Sequence, residues 1–193
     1  MNLPNQLTIA RFFLTGIFVT VLSSEWRFAH VAGLAIFIVA GVTDYLDGHL
    51  ARERNLVTDF GRLMDPLADK IMMAAAFICL VPRQAFPAWV AVIIISREFL
   101  ITGLRLLAAS KGVILPADQL GKHKTVWQIV TVCFFLLLLA LAELEQAGFL
   151  TGLYWWAHAW NYGGAALIAF ALVLTLYSGL GYLWKNRALI SAE

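Results

Sequence analysis

Between positions 44 and 69 the chain reads DYLDGHLARERNLVTDFGRLMDPLAD, and this stretch holds the residues best suited to chemistry. Asp44, Asp47, Asp65 and Asp69 follow helical spacing, whereas Asp59 is out of step with them. At about 100° per residue, Asp44 and Asp47 stand roughly 60° apart, with Gly48 and Ala51 in the same sector. Arg52, two turns beyond Asp44, remains within reach of that face. Gly61, Asp65 and Asp69 form an i, i+4, i+8 stripe on the helix that follows. Two adjacent antiparallel helices would bring these stripes together. Four carboxylates in one pocket repel, and they would take up protons unless cations offset the charge. An all-oxygen donor set suits Mg2+ or Mn2+ rather than zinc. Two such ions about 3.5–4 Å apart would bridge a pyrophosphate. Arg52 would neutralise a phosphate, and Gly48 and Ala51 leave room for a bulky group to approach the helix backbone. The competing reading makes these acids solvated salt-bridge partners of Arg52, Arg54 and Arg62. Four acids in register, with small residues on the same face, favour the metal site.

The elements that must position these residues are apolar. Hydrophobic residues make up 61% of the 193, and charged residues only 13%. A soluble domain carries about twice that charged fraction. The composition therefore implies a membrane protein, and the net charge of +2 gives no sign of a nucleic-acid partner. Cys79 and Cys133 lie within apolar runs and read as packing residues. His30, His49, His123 and His158 have no metal-ligand spacing. Phe12–Leu22 has the length of a signal-peptide core. No Lys or Arg precedes it within Met1–Ala10, however, and Leu22-Ser23-Ser24-Glu25 is a poor cleavage site, so it reads as a retained span.

Six spans are expected, at Leu7–Ser23, Phe28–Leu50, Asp59–Val81, Ala88–Ala109, Gly121–Leu141 and Asn161–Trp184. A short interfacial segment, Met1–Ala10, precedes them. Pro66 implies a late start or a kink in the third span. Glu143–Trp160 reads as the longest outer connection, with Glu143 and Glu145 solvated and Trp155, Trp156 and Trp160 forming an aromatic belt. Gly179 and Gly181 would permit close helix contact in the last span without deciding where it occurs. On this threading twelve of the fourteen Lys and Arg residues share a side with Arg52, and only Arg27 and Arg83 fall opposite. The positive-inside rule then places the acids and both termini at the cytoplasmic face. The expected fold is an all-α, polytopic integral membrane bundle of six transmembrane helices. It forms one domain over 1–193, in the cell (inner) membrane.

A second cluster lies outside the acidic stretch. Arg97 and Arg105 are eight residues apart, roughly 80° round a helix, and Lys122 opens the next one. An ionised arginine inside an apolar span costs at least ~2.5 kcal/mol unless it is paired or faces water. Arg97, Arg105 and Lys122 together would suit a substrate that already bears a phosphate. The competing reading pairs Arg97 with Glu98 and gives Arg105 and Lys122 to lipid headgroups. Adjacent residues do not share a helix face, which counts against that pair.

The acidic stretch resembles the signature of the CDP-alcohol phosphatidyltransferases, D-x2-D-G-x2-A-R-x8-G-x3-D-x3-D. Every fixed position is present: Asp44, Asp47, Gly48, Ala51, Arg52, Gly61, Asp65 and Asp69. The resemblance implies a six-helix bundle and transfer of a phosphatidyl group from CDP-diacylglycerol to an alcohol, with release of CMP. It implies that Asp44, Asp47, Asp65 and Asp69 ligate two Mg2+ or Mn2+ ions and that Asp69 is the general base. It gives Gly48, Ala51, Arg52 and Thr58 to the CDP-lipid, with Asn5 and Thr8 closing its nucleotide end, and it suggests a homodimer. The segments NLPNQLTIAR, ISREFLITGLR and GKHKT are similar to those of bacterial phosphatidylglycerophosphate synthases, a branch of that family. That similarity implies sn-glycerol 3-phosphate as the acceptor, with its phosphate on Arg97, Arg105 and Lys122. Inositol phosphate, serine or phosphatidylglycerol would be alternative acceptors. A cation transporter is the rival from another class, but such sites sit near the midplane between discontinuous helices, whereas these acids crowd one face.

Overall fold

The computed structural model describes residues 3–53, 59–110, 112–113, 115, 119–152 and 155–187, and their side chains except at 3–8, 44–53, 59–63, 65–66 and 119–120. Among the described residues the chain is all helix and connection: α1 (Leu3–Ser23), α2 (Ala29–Glu53), α3 (Asp59–Leu80), α4 (Ala88–Ser110), α5 (Gln119–Gln146) and α6 (Trp156–Lys185). One π-helical turn, Ala159–Gly163, lies near the start of α6. The α1–α2 connection is tight: Ser24 Oγ donates to the Val21 carbonyl at 2.7 Å, and the Ala29 amide to that of Trp26 at 3.1 Å. Pro87 directly precedes α4, where its missing N–H leaves no helix bond unmade.

Helix α1 packs along both α2 and α3, α5 along α2 and α6, and α4 against α3 and α6. Their shared core is aromatic. Phe18, Phe77, Phe86 and Phe135 are fully buried with Ile94 and Leu136. Phe86 stands 5.1 Å from Phe77 and 5.3 Å from Phe135, measured between ring centroids. Such tilted and edge-on pairs add to the burial of large apolar area. The outside of the bundle is apolar as well. Phe13, Val92, Val173 and Leu180 are each more than 60% exposed, the reverse of what water favours over so wide a surface. Among the described residues two helices, Gly121–Gln146 and Trp156–Lys185, are long and apolar enough to cross a membrane.

Four expectations need revision. Helix α1 already begins at Leu3, so the segment before residue 10 continues the first helix instead of lying apart from it. Pro4 falls in the first turn, where amides have no intrahelical acceptor to lose. Helix α3 is already formed at Asp59 and continues through Pro66, so it does not start late. Helix α5 continues to Gln146, which takes Glu143 out of the outer connection. There Glu143 accepts hydrogen bonds from the His30 amide (2.9 and 3.0 Å) and the Val31 amide (3.0 Å) and meets His30 Nδ1 at 2.5 Å. A carboxylate at the start of α2 satisfies amides that have no partner within the helix and opposes the positive end of its dipole. Trp160 is half-buried against Phe135, 4.9 Å between centroids, while Trp155 and Trp156 remain exposed.

Candidate active site

The acidic signature is carried by the end of α2 and the first half of α3. Asp44, Asp47, Gly48, Ala51 and Arg52 lie within the C-terminal turns of α2, and Gly61, Asp65 and Asp69 within α3. The side chains of Asp44, Asp47, Gly48, Ala51, Arg52 and Asp65 fall outside the described set, as do those of Asn5 and Thr8 on α1, and Thr58 lies outside the described residues. Asp69 is described and exposed. Among the described residues no three His, Cys, Asp or Glu side chains converge as a metal centre would require.

The basic cluster can be followed atom by atom. Arg97, Arg105 and Lys122 line a single cleft of about 370 Å3. Lys70, Lys124 and Glu98 line it too, and Asp69 attracts both Lys70 and Lys124 electrostatically. Lys70 follows Asp69 directly in the chain and brings α3, with its signature acids, to the edge of this cleft. Tyr182 of α6 lines the same cleft and is 7% exposed; its phenolic oxygen has no hydrogen-bond partner among the described residues.

Glu98 is the hub of the charge network. Its Oε2 accepts from Lys70 Nζ at 3.1 Å and its Oε1 from Arg97 Nη1 at 3.2 Å, and Lys124 Nζ pairs with the same Oε1. The Arg97–Glu98 pair, disfavoured by helix spacing, therefore forms. The Arg97 guanidinium is also held by Ser178 Oγ of α6, which accepts from Nη2 at 3.0 Å. Lys124, with a side chain only 4% exposed, would be costly without such a partner. Below the network, Gln128 Nε2 donates to Thr175 Oγ1 at 2.9 Å and ties α5 to α6.

The cleft thus holds Arg97, Arg105 and Lys122, singled out by spacing, and Glu98, named in the competing reading, whereas Lys70, Lys124, Ser178 and Tyr182 were not singled out. Lys124 was findable: it is a charge at the edge of an apolar run, where an unpaired ion is costly. Ser178 and Tyr182 carry no such signal, because a polar residue near a helix end is unremarkable until its neighbour is known. Chemically, the cleft can hold a small, multiply charged anion by charge-assisted hydrogen bonds.

The chain matches the family model described as CDP-alcohol phosphatidyltransferase over residues 1–177. It is 45% identical over 148 residues to a Bacillus subtilis protein named CDP-diacylglycerol–glycerol-3-phosphate 3-phosphatidyltransferase, covering 70% of this chain and 77% of that one. A protein of the same name from Escherichia coli is 36% identical over 193 residues, covering 97% of this chain and 96% of its own length. Another, from Mycoplasma pneumoniae, is 36% identical over 176 residues, covering 81% of this chain and 77% of its own.

Proposed function

Because the chain belongs to the CDP-alcohol phosphatidyltransferase family, we propose that it transfers the phosphatidyl group of CDP-diacylglycerol to sn-glycerol 3-phosphate, giving phosphatidylglycerophosphate and CMP. The observation that carries this reading is the cleft beside α3, which Arg97, Arg105 and Lys122 line together with Lys70, Lys124 and Glu98. An acceptor that brings its own phosphate would accept charge-assisted hydrogen bonds from Arg97, Arg105 and Lys122. A neutral or zwitterionic alcohol would offer those donors no phosphate. A cleft of about 370 Å3 also suits a three-carbon phosphate better than a whole phospholipid.

In this reading the primary hydroxyl of glycerol 3-phosphate attacks the phosphatidyl phosphorus. A new P–O bond forms, the pyrophosphate P–O bond breaks, and CMP leaves. The hydroxyl proton passes to the Asp69 carboxylate, which needs a hydrogen-bond distance of about 2.6–3.2 Å or one bridging water. Arg97, Arg105 and Lys122 hold the acceptor's phosphate and so orient the hydroxyl. Gly48, Ala51, Arg52 and Thr58 bind the CDP-lipid, and Asn5 and Thr8 on α1 close over its nucleotide end. The all-oxygen donor set of Asp44, Asp47, Asp65 and Asp69 fits two Mg2+ or Mn2+ ions, which would neutralise the pyrophosphate charge when bound.

The apolar outer faces support six transmembrane helices in one membrane domain. The distribution of Lys and Arg supports both termini and the acidic site at the cytoplasmic face of the cell membrane. Family resemblance supports a homodimer, which mass measurement in detergent would check. The decisive assay is CMP release by purified protein from CDP-diacylglycerol with Mg2+ or Mn2+ and a panel of acceptors. Release is expected with glycerol 3-phosphate and is lost when the metal is chelated. Release with inositol phosphate, serine or phosphatidylglycerol alone would move the acceptor assignment. No CMP with any acceptor would leave the transporter reading standing.

A further inference from the structure

Helix α6 contributes to the cleft in a way the acceptor cluster does not itself explain. The Arg97 side chain lies flat along α6 at Gly179. A Cβ built on Gly179 would stand 2.9 Å from Arg97 Cγ, 3.0 Å from Nε and 3.6 Å from Cδ. Contacts this short force one partner to move, and here the crowded atoms include the stem of the side chain and not only its tip. One residue earlier, buried Ser178 receives Arg97 Nη2 at 3.0 Å, and its own hydroxyl donates to the Thr175 carbonyl at 3.2 Å. That donation turns an oxygen lone pair toward the guanidinium. Gly181, two residues beyond Gly179 on the same helix, has nothing within 4 Å of the corresponding point.

We infer that Gly179 and Ser178 are positioning residues that set affinity for the acceptor's phosphate, by seating Arg97 against α6 so that its guanidinium is presented to the cleft in one fixed plane. The inference rests on the reading of this cleft as the acceptor-phosphate pocket. Arginine recognises phosphate through a planar fork whose useful range is a few tenths of an ångström in distance and limited in angle. A methyl group at position 179 displaces the stem and with it the plane of the fork. The CDP-lipid, bound by other residues, is not affected.

The test measures kcat and KM for each substrate by CMP release from the full-length protein in detergent–lipid micelles. Gly179→Ala and Ser178→Ala are each expected to raise KM for glycerol 3-phosphate about threefold to tenfold, with kcat and KM for CDP-diacylglycerol within about twofold of the starting protein. Gly179→Val is expected to exceed both, while Gly181→Val changes neither constant. Alanine is the better helix former, so weakened helix propensity does not account for a loss at Gly179→Ala. In an Arg97→Ala background, Gly179→Ala adds nothing, because the seat is already empty. Equal effects of Gly179→Ala with and without Arg97 would overturn the inference by showing a general packing role. An unchanged KM in both Gly179→Ala and Ser178→Ala, alongside a raised KM in Arg97→Ala, would overturn it alone. An unchanged KM in Arg97→Ala itself would remove the acceptor pocket and this inference together.

Discussion

The two ends of the bundle use charge in opposite ways. At the end where α2 begins, the Glu143 carboxylate meets the backbone amides of His30 and Val31 and the His30 ring. Arg83 donates to the Leu22 carbonyl at 3.1 Å. Each of these charges is tied to a backbone group or a side chain of the fold, and the result is a structural joint, although Leu22, His30, Arg83 and Glu143 also line a cleft of about 900 Å3. At the other end, Lys70, Arg97 and Lys124 all converge on Glu98, with Arg105 and Lys122 alongside. Asp69 also attracts Lys70 and Lys124, yet basic side chains still outnumber acidic ones in the cleft. Similar residue types thus build a joint around one carboxylate at one end and a cleft lined mainly by basic side chains at the other.

The comparison makes distinct demands of mutants. The largest effect is expected at the acids that adjoin the cationic cleft. Asp69→Asn should lower turnover about 10²–10⁴-fold while the protein still binds CDP-diacylglycerol, as read by CMP release beside equilibrium binding of the lipid. An active Asp69→Asn protein would remove that residue as the base. Next comes the cleft itself: Arg97→Ala should raise KM for glycerol 3-phosphate about tenfold to a hundredfold, the worth of a charge-assisted hydrogen bond. The opposite end should respond in another currency of measurement. Glu143→Gln should lower stability by about 1–3 kcal/mol, seen as a lower thermal midpoint in detergent, with KM for glycerol 3-phosphate unchanged. A KM shift there would break the division between joint and basic cleft. Smallest of all, exposed Lys122→Ala should raise the same KM by about threefold, with an effect that fades as salt increases.

Much of the bundle was legible because helices in an apolar chain announce themselves by length and composition. All six expected spans have a helix, and the signature acids lie on consecutive helices, α2 and α3. The ends were less legible. Pro4 reads as a helix start and falls in the first turn of α1, whereas Pro66 looks like a late start, yet α3 is already formed at Asp59 and continues through it. Glu143 looks like a loop residue, because its partners are amides of a helix more than a hundred residues away in sequence. The Arg97–Glu98 pair defies the rule that neighbours diverge around a helix. Long side chains fold back when a third and fourth partner, here Ser178 and Lys124, hold them.

The sequence by itself determined the family, through eight spaced residues, and the apolar helices that carry them. It also determined that Arg97 and Arg105 share a helix face, since helical pitch fixes angles within one element. Only the tertiary structure decided which other residues close the cleft. Glu98, Lys70, Lys124, Ser178 and Tyr182 come from four helices, and no local period relates one helix's rotation to the next. Gly179 and Gly181 show the point most sharply. They are alike in type and two positions apart, yet one touches Arg97 and the other nothing, because α4 packs against a single face of α6.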